Sequence, residues 1–584
     1  MRTVVTTPIP GEVLGELKDP FFLGPWCWPK ARLGNLWDNS EISKSTLSHP
    51  WEQIDRKRLD MATFDQSYFE VMSEIADFLN DYHGEVQTRR FWEIIVGPWL
   101  SMYGFILFEK FTLLQHLDHV VASPVEVLDS ADELGPPADM HEFKDLFLDD
   151  RYMSRATADM AEALGISIRL EDLKFDSGAK PKPRARHHDN FKLLRLGLTK
   201  LARNTDVVMF ETFQNPSVDA AWQLRLGQVP MFWSFPRPPQ FTGPLNLPTR
   251  LKGEAKGPKV ASFSKILFML AVRNIPICYL EGFSQTREFT EKLGLPAKPK
   301  WILTSNAYFK NETFKFYVAQ RSAEGCPYLI SQHGGGFGVN AFNIHQDHIL
   351  RVADAFFTWG WKSGSRTYPA SVVKPLGKIL PSISGDILLI EYAGPPYVNE
   401  KSSIPLGEVG WQRYWEDQIE FFSGLDPEVQ ARVRVRLHPG DFGRDIGQQW
   451  INNFPNIRFD DPNVPLRNSL KSCAMAIVTY DSTTYLQLLQ AKFPFTSFWR
   501  PSDWMQNEEA SRLFGDLIDA GVFHSEPLQA SKFVNTHLKD PIALGKLISF
   551  ASASPFAARF ASETPKLRVA VRKWVQSNKN SFPS

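Results

Sequence analysis

The chain has 584 residues, too many for one hydrophobic core, and is expected to split into two or more domains. Its 65 basic and 65 acidic residues cancel, which sets a nucleic-acid partner aside. The four cysteines, Cys27, Cys278, Cys326 and Cys473, form no CxxC pair, so neither a disulfide framework nor a zinc site is expected and a reducing cytoplasm fits.

TVVTT (Thr3–Thr7) predicts a first strand and FFLG (Phe21–Gly24) a second, with no apolar leader before them. A helical block follows from about Phe64 to Leu117. Its apolar window Ile94–Phe108 is shorter than a membrane span and is interrupted by Gly97-Pro98. It reads as a buried segment, compatible with peripheral contact at the inner face of a membrane. The polar stretch Asp176–Asn190 predicts an exposed loop; its His187-His188-Asp189 run lacks recognised metal-ligand spacing. A helix near Phe191–Arg203 and the strand DVVMFE (Asp206–Glu211) come next. Then follow a helix over Pro216–Leu226 and strands at VPMFWS (Val229–Ser234), WILTS (Trp301–Ser305), PYLIS (Pro327–Ser331) and AFFTW (Ala355–Trp359).

After the linker Val372–Gly385, strands are expected at DILLIEY (Asp386–Tyr392), RVRVRLH (Arg432–His438), NIRFD (Asn456–Asp460), MAIVTY (Met475–Tyr480) and PFTSFW (Pro494–Trp499). A helix near Pro565–Gln576 closes the chain. Strands alternating with helices predict an α/β protein with parallel sheets. The expected division is residues 1–375 as one Rossmann-like domain with a helical insertion, 376–562 as a second, and 563–584 as a terminal helix and tail. The two domains would face each other across a cleft.

Ligands of open parallel sheets bind beyond the carboxyl ends of the strands, and three unusual loops fall there. The first is Gln332-His333-Gly334-Gly335-Gly336-Phe337-Gly338, after PYLIS. Its glycines permit close backbone approach, and its successive N–H groups can make an anion nest. His333 is a candidate base or phosphate ligand, with a tight turn as the plainer reading. The second is RLHPGDFG, in which Pro439 turns the chain to present His438 and Arg436 adds charge. The third is TYDSTT, where Ser482, Thr483 and Thr484 open a helix; they are caps or a phosphate seat. No GxxxxGK[ST], GxSxG or HExxH occurs, and no DxD pair for a divalent metal, so no metal is expected.

These loops resemble those of glycosyltransferases of GT-B architecture. With FFLGPWC, SHPW (Ser48–Trp51), RRFWEIIVGPWL (Arg89–Leu100), QHGGGFG, ADAFFTWGW (Ala353–Trp361), LHPGDFG and TYDSTTYLQLL, the chain more closely resembles a family of transferases encoded in bacterial surface-polysaccharide (O-antigen and capsule) loci. More loosely it resembles bacterial sialyltransferases and Kdo transferases, whose His-Pro motif and Ser/Thr-rich helix start hold the phosphate of a CMP-sugar. That likeness implies donor contacts at His438, Pro439, Ser482, Thr483 and Thr484, joined by Arg436. It also implies a CMP-linked ulosonic acid as donor, a nucleotide-sugar cosubstrate and no further cofactor. The sialyltransferases' acidic base motif has no match, which leaves His333 as the candidate base with Asp347 and Asp354 behind it.

The expected function is transfer of a sugar to a glycan or lipid-linked acceptor, at the cytoplasmic side. Arg89 and Arg90 are candidates for attracting that acceptor, against a core role for their segment. A sugar-nucleotide epimerase of the same architecture and a non-catalytic subunit of a polysaccharide assembly complex are the alternatives. The sequence leaves the oligomeric state open.

Overall fold

A computed structural model of the chain describes residues 2–28, 44–121, 124–130, 134–171, 173, 202–251 and 262–578. The stretch 176–190, with His187, His188 and Asp189, and all but the last two residues of the helix expected over 191–203 lie outside these. The described strands form three sheets, and every strand pair in them is parallel.

The middle sheet holds β5 (Val208–Phe210), β6 (Ile302–Thr304), β7 (Tyr328–Ser331), β8 (Ala355–Thr358) and β9 (Thr367–Pro369), side by side in chain order. Winding in one direction sends the crossover helices Glu312–Ala323 and Ile344–Val352 to the same side, where both pack on helix Arg89–Val120. Alternation within the strands then leaves Met209, Leu303, Leu329 and Phe357 on the opposite face. The chain covers that face with its own end: Leu567, Val571 and Trp574 of helix Leu567–Ser577 pack there, beside Trp222. The closing helix, placed in a separate terminal segment by the sequence, thus completes the core of the first half of the chain.

The C-terminal sheet comprises β10 (Asp386–Ile390), β11 (Val433–Arg436), β12 (Arg458–Phe459), β13 (Cys473–Val478), β14 (Phe495–Phe498) and β15 (Phe523–His524). Its order, β12-β11-β10-β13-β14-β15, reverses direction between β10 and β13. The loops leaving these two strands part in opposite directions and open a crevice at their carboxyl ends. The two facing parallel-sheet units expected from the sequence are present, joined by the linker after β9.

A third sheet stands beside them. β1 (Arg2–Val5), β2 (Pro20–Phe22), β3 (Val125–Ser130) and β4 (Ser167–Glu171) pair in the order β2-β1-β3-β4. Residues 1–375 therefore carry two sheets, with helices Ile54–His83 and Arg89–Val120 between β2 and β3.

Two local expectations are corrected. VPMFWS forms no strand: Gln223 accepts the Met231 N–H (2.8 Å) and donates to its carbonyl (3.1 Å), taking the bonds a ladder would have used. Pro230 next to Met231 also lacks a ladder donor. Gly97-Pro98 does not break its helix, which runs through from Arg89 to Val120. Pro98 removes the N–H partner of the Ile94 carbonyl, and Lys315 Nζ donates to the neighbouring Ile95 carbonyl at 3.0 Å. This helix is long and apolar enough to cross a membrane, yet its apolar window is wholly buried between the two N-terminal sheets' helices.

The same ammonium meets Tyr279 Oη at 2.6 Å and Glu312 Oε2 at 3.0 Å, with Lys315 and Glu312 both buried. Lys315→Met would leave the buried Glu312 carboxylate without its counter-charge. Urea unfolding should show a loss of about 3–5 kcal/mol.

Candidate active site

The glycine loop follows β7 and is built from below by Gln332. Its buried amide oxygen accepts the Trp359 N–H and Trp361 Nε1–H, both at 2.8 Å, while its NH₂ donates to the Gly334 carbonyl at 2.7 Å. Gln332 is thus scaffolding, and the TWGW segment after β8 is its partner. Gly338 has φ of +75° and lies flat on Trp361, where a Cβ would come within 2.5 Å of the indole. At Gly336 a Cβ would meet the Asn340 amide at 2.7 Å.

Gly335 explains the triple glycine. An added Cβ would lie 2.5 Å from the Ser482 carbonyl carbon and 2.6 Å from Thr483 N. The Gly335 N–H donates to Thr483 Oγ1 at 3.0 Å. The loop of the middle sheet is therefore seated on the start of helix Thr483–Ala491, which follows β13 of the C-terminal sheet. A second strut runs beside it: Asn507 Nδ2 donates to the Gly338 carbonyl (2.6 Å), and Asn340 and Gln506 pair as a β-bridge. Gln506 in turn donates to Asp481 Oδ2 at 2.8 Å.

Ser482 stands at the N-cap, but its side chain caps none of the helix N–H groups. The first turn keeps unsatisfied donors and the positive end of the helix dipole. Thr484 is turned inward, its hydroxyl 2.7 Å from Tyr480 Oη. Ser482 and Thr483 are half-buried and Thr484 is buried, so the first two form the accessible part of the seat.

His333 is half-buried at the rim, among Phe337 (ring centroids 5.0 Å apart), Phe213 (5.8 Å) and Tyr308 (6.2 Å). Burial, with the nearby His345 adding to it, pushes the imidazole down to about 3, while the Ser305 backbone opposes this. The ring is neutral across the physiological range, and its buried Nδ1 has no hydrogen-bond partner among the described residues. Glu211 and Phe213, at the end of β5, have φ of +48° and +58°, backbone strain collected at the same rim. Lys374 reaches over Phe213 at 4.2 Å and is exposed.

The reserve carboxylates are corrected. Asp354 precedes β8 and so lies at the opposite edge of the sheet from His333; it accepts from Arg90 Nη2 and the Tyr328 N–H, both at 2.8 Å. Arg90 thereby serves the fold, and Arg89 lies 3.7 Å over the Phe69 ring, so neither is held for an acceptor. Asp347 opens helix Ile344–Val352 and is neutralised by the buried Lys401 at 2.5 Å.

Arg436 is also corrected as a phosphate ligand. Its guanidinium bonds the Asp460 carboxylate and the carbonyls of Pro462 (3.1 Å) and Val464 (2.7 Å), pinning the loop after β12. His438 and Pro439 are exposed after β11. His438 Nδ1 lies 3.0 Å from the Gly440 nitrogen and 3.1 Å from its carbonyl oxygen, so the ring is fixed against its own turn. Arg444 holds this loop from inside, bonding Glu408 Oε2 at 2.9 Å and lying 4.4 Å over Trp411. Because β10 separates β11 from β13, the histidine and the Ser482 helix start flank the crevice about 10 Å apart.

Two carboxyls at the crevice were not singled out in the sequence. Glu391 follows β10, buried, with Trp450 Nε1–H on Oε1 at 2.9 Å, and burial pushes its carboxyl up to about 8. Asp481, buried behind Ser482, is pushed up to about 6 by burial. Both follow the last apolar residues of their strands, in DILLIEY and IVTYD, which is the signal that marks them. Glu391 keeps its proton in the folded state at pH values where the unfolded chain has lost it. Its contribution to stability is therefore complete below about 4.5 and lost as pH rises toward 8. Glu391→Gln should flatten that decline in pH-dependent unfolding curves, and should exceed wild type in stability at pH 8 by roughly 2–4 kcal/mol.

Among the described residues no group of three or more His, Cys, Asp or Glu is arranged to hold a metal ion. Two opposed parallel-sheet units meet at a glycine loop and a helix N-terminus, each at the carboxyl ends of its strands. That defines an α/β protein with its candidate site between sheets. The chain belongs to the LIC12162 family of transferases, which it matches over residues 2–543. No curated protein matches it. Among solved structures it is similar to Acinetobacter baumannii MurG (14% identity over 64% of this chain and 99% of that one, TM-score 0.33). It is also similar to the wall teichoic acid polymerase TagF (10% identity, 66% and 94% coverage, TM-score 0.33).

Proposed function

We propose that this transferase is a glycosyltransferase that moves a sugar from a nucleotide donor to a glycan or lipid-linked acceptor, without a metal. The observation that carries the reading is the seating of the Gly334–Gly336 loop on the Ser482–Thr483 helix start. It brings a neutral imidazole beside a set of unsatisfied N–H donors. The acceptor hydroxyl oxygen attacks the anomeric carbon, its proton passes to His333, and the anomeric carbon–phosphate oxygen bond breaks. Negative charge arising on the leaving phosphate is met by the helix dipole and N–H groups of residues 483–485, the Ser482 hydroxyl and Lys374. A base held near 3 is weak in the free protein, and an arriving phosphate favours the imidazolium, raising its affinity for the proton.

The donor's base and sugar belong in the crevice between β10 and β13, with His438 reaching the phosphate from β11. A CMP-linked ulosonic acid is the favoured donor, since one phosphate matches one helix start. Surface-polysaccharide synthesis at the cytoplasmic side is the favoured setting. Calorimetric titration with CMP, UDP and GDP in the absence of metal tests this. CMP should bind tightest, with His438→Ala and Ser482→Ala each weakening it about 10-fold. Preference for UDP or GDP would overturn the donor, and binding of none would overturn the site.

A further inference from the structure

Helices Phe283–Glu291 and Glu312–Ala323 pack side by side, and helix Arg89–Val120 packs on the second of them. Between their later turns lies a cavity of about 120 Å³ with a mouth to solvent. Phe91, Phe283, Phe316 and Leu295 give it apolar walls. Tyr317 adds a ring whose hydroxyl is already bonded to the Pro296 carbonyl at 2.8 Å. Helix Glu312–Ala323 runs from the carboxyl end of β6 back to the amino end of β7. Its last turns, and the cavity with them, therefore lie at the opposite edge of the sheet from His333. Phe91 follows Arg90, which is bonded to Asp354 at that same edge.

An apolar cavity of about 150 Å³ takes up a benzene ring. This one has the walls and nearly the volume for a single six-membered ring, and aromatic neighbours favour a flat partner.

The polar groups of the lining sort into those already taken and those left open. Gln320 Nε2 is bonded to Glu324 and the Thr290 hydroxyl to the Thr286 carbonyl, both at 2.8 Å. Arg287 bonds Glu85, and Arg321 bonds Glu324 and the Ala297 carbonyl, both at 2.6 Å, in each case through Nη1 alone. Their Nη2 groups make no hydrogen bond with any described residue. Each guanidinium is held in place over a lining ring, Arg287 at 5.3 Å from Phe283 and Arg321 at 5.8 Å from Tyr317. Glu291 is exposed and bonds no described residue. Both cations are matched by carboxylates and Glu291 is left over, so the mouth has no surplus positive charge to hold an anion. It offers N–H donors beside a carboxylate acceptor. A hydroxyl accepts and donates at one atom and so suits both.

We propose that this cavity is a binding site for a small uncharged phenol. Its ring would lie among Phe91, Phe283 and Phe316, and its hydroxyl at the mouth between Glu291 and the two guanidiniums. The site stands independently of the glycosyl-transfer reading.

Fluorine NMR titration of 4-fluorophenol with the full chain tests it. The signal should broaden and saturate, and phenol should reverse the change while glucose does not. N-acetyl-tyrosine amide should not compete, because its bulk stands opposite the hydroxyl and would have to enter first. Fluorobenzene, which lacks the hydroxyl, and benzoate, which carries a charge, should each bind about 10-fold more weakly or worse. Leu295→Trp should fill the cavity and abolish binding. Glu291→Ala, at an exposed side chain, should weaken binding about 10-fold with an unchanged unfolding midpoint, and it carries the test if Leu295→Trp does not fold. Absence of saturable binding by wild type would overturn the proposal, as would equal binding by wild type and Glu291→Ala. Fluorobenzene, benzoate or N-acetyl-tyrosine amide binding as tightly as phenol would overturn it too.

Discussion

Gly335→Ala should lower kcat/KM about 100-fold while leaving the protein folded. The added methyl would lie 2.5 Å from the Ser482 carbonyl carbon and 2.6 Å from its oxygen and from Thr483 N. These are backbone atoms at a helix start, so neither partner can turn a side chain aside. The loop or the C-terminal sheet must back away, and the Gly335 N–H to Thr483 Oγ1 bond of 3.0 Å is lost. A displacement of about 1 Å between the base and the phosphate seat is enough for a loss of about 100-fold. Overpacking should cost stability as well, about 1–3 kcal/mol in denaturant unfolding. Gly334→Ala is the control for stability. Its methyl would meet nothing closer than 3.7 Å, and the unfolding midpoint should stay near that of wild type.

His333→Ala should lower kcat by about 10²–10⁴-fold, the usual contribution of a positioned base. The ring packs on Phe337 and Phe213, so a cavity contributes to the loss in this variant. His333→Gln fills that space without a basic nitrogen and should be similarly impaired. The pH profile separates the two causes. With the imidazole held near 3 by burial, it stays neutral as pH falls from about 8 to about 5, and the acid limb of kcat/KM should lie below the ordinary histidine range. Bound phosphate stabilises the imidazolium, so the acid limb of kcat should lie at higher pH than that of kcat/KM. Coincident limbs at about 6.5 would assign them to another group.

The strands that dominate the two facing sheets were legible because they are short apolar runs ending in turn residues. YLIS, AFFT, DILLI and CAMAIV are buried almost throughout, and a fully covered parallel sheet demands that. VEVLDS and SIRLE, the inner and edge strands β3 and β4, escaped notice because polar residues interrupt them. VPMFWS has strand composition, but one glutamine side chain supplies its backbone partners.

The site was legible as three loops and not as one place. Nothing local in QHGGGFG says that its middle glycine touches Thr483, 148 positions away. Asp347, Asp354 and Arg436 look available in sequence and are bound to Lys401, Arg90 and Asp460 in the fold. Charge in a sequence names a capacity, and only the partners show whether it is taken up. Lys57 is the converse case, unremarked in the sequence and buried without a hydrogen bond or ion pair to any described residue.

The most direct test is nucleotide release by the full chain from CMP-, UDP- and GDP-sugars, with and without glycan acceptors. The account predicts that one donor class releases its nucleotide, slowly in water and faster with acceptor, and that His333→Ala abolishes the acceptor-dependent rate. Release from none of them, isomerisation of the sugar with the nucleotide still attached, or a His333→Ala rate equal to wild type would contradict it.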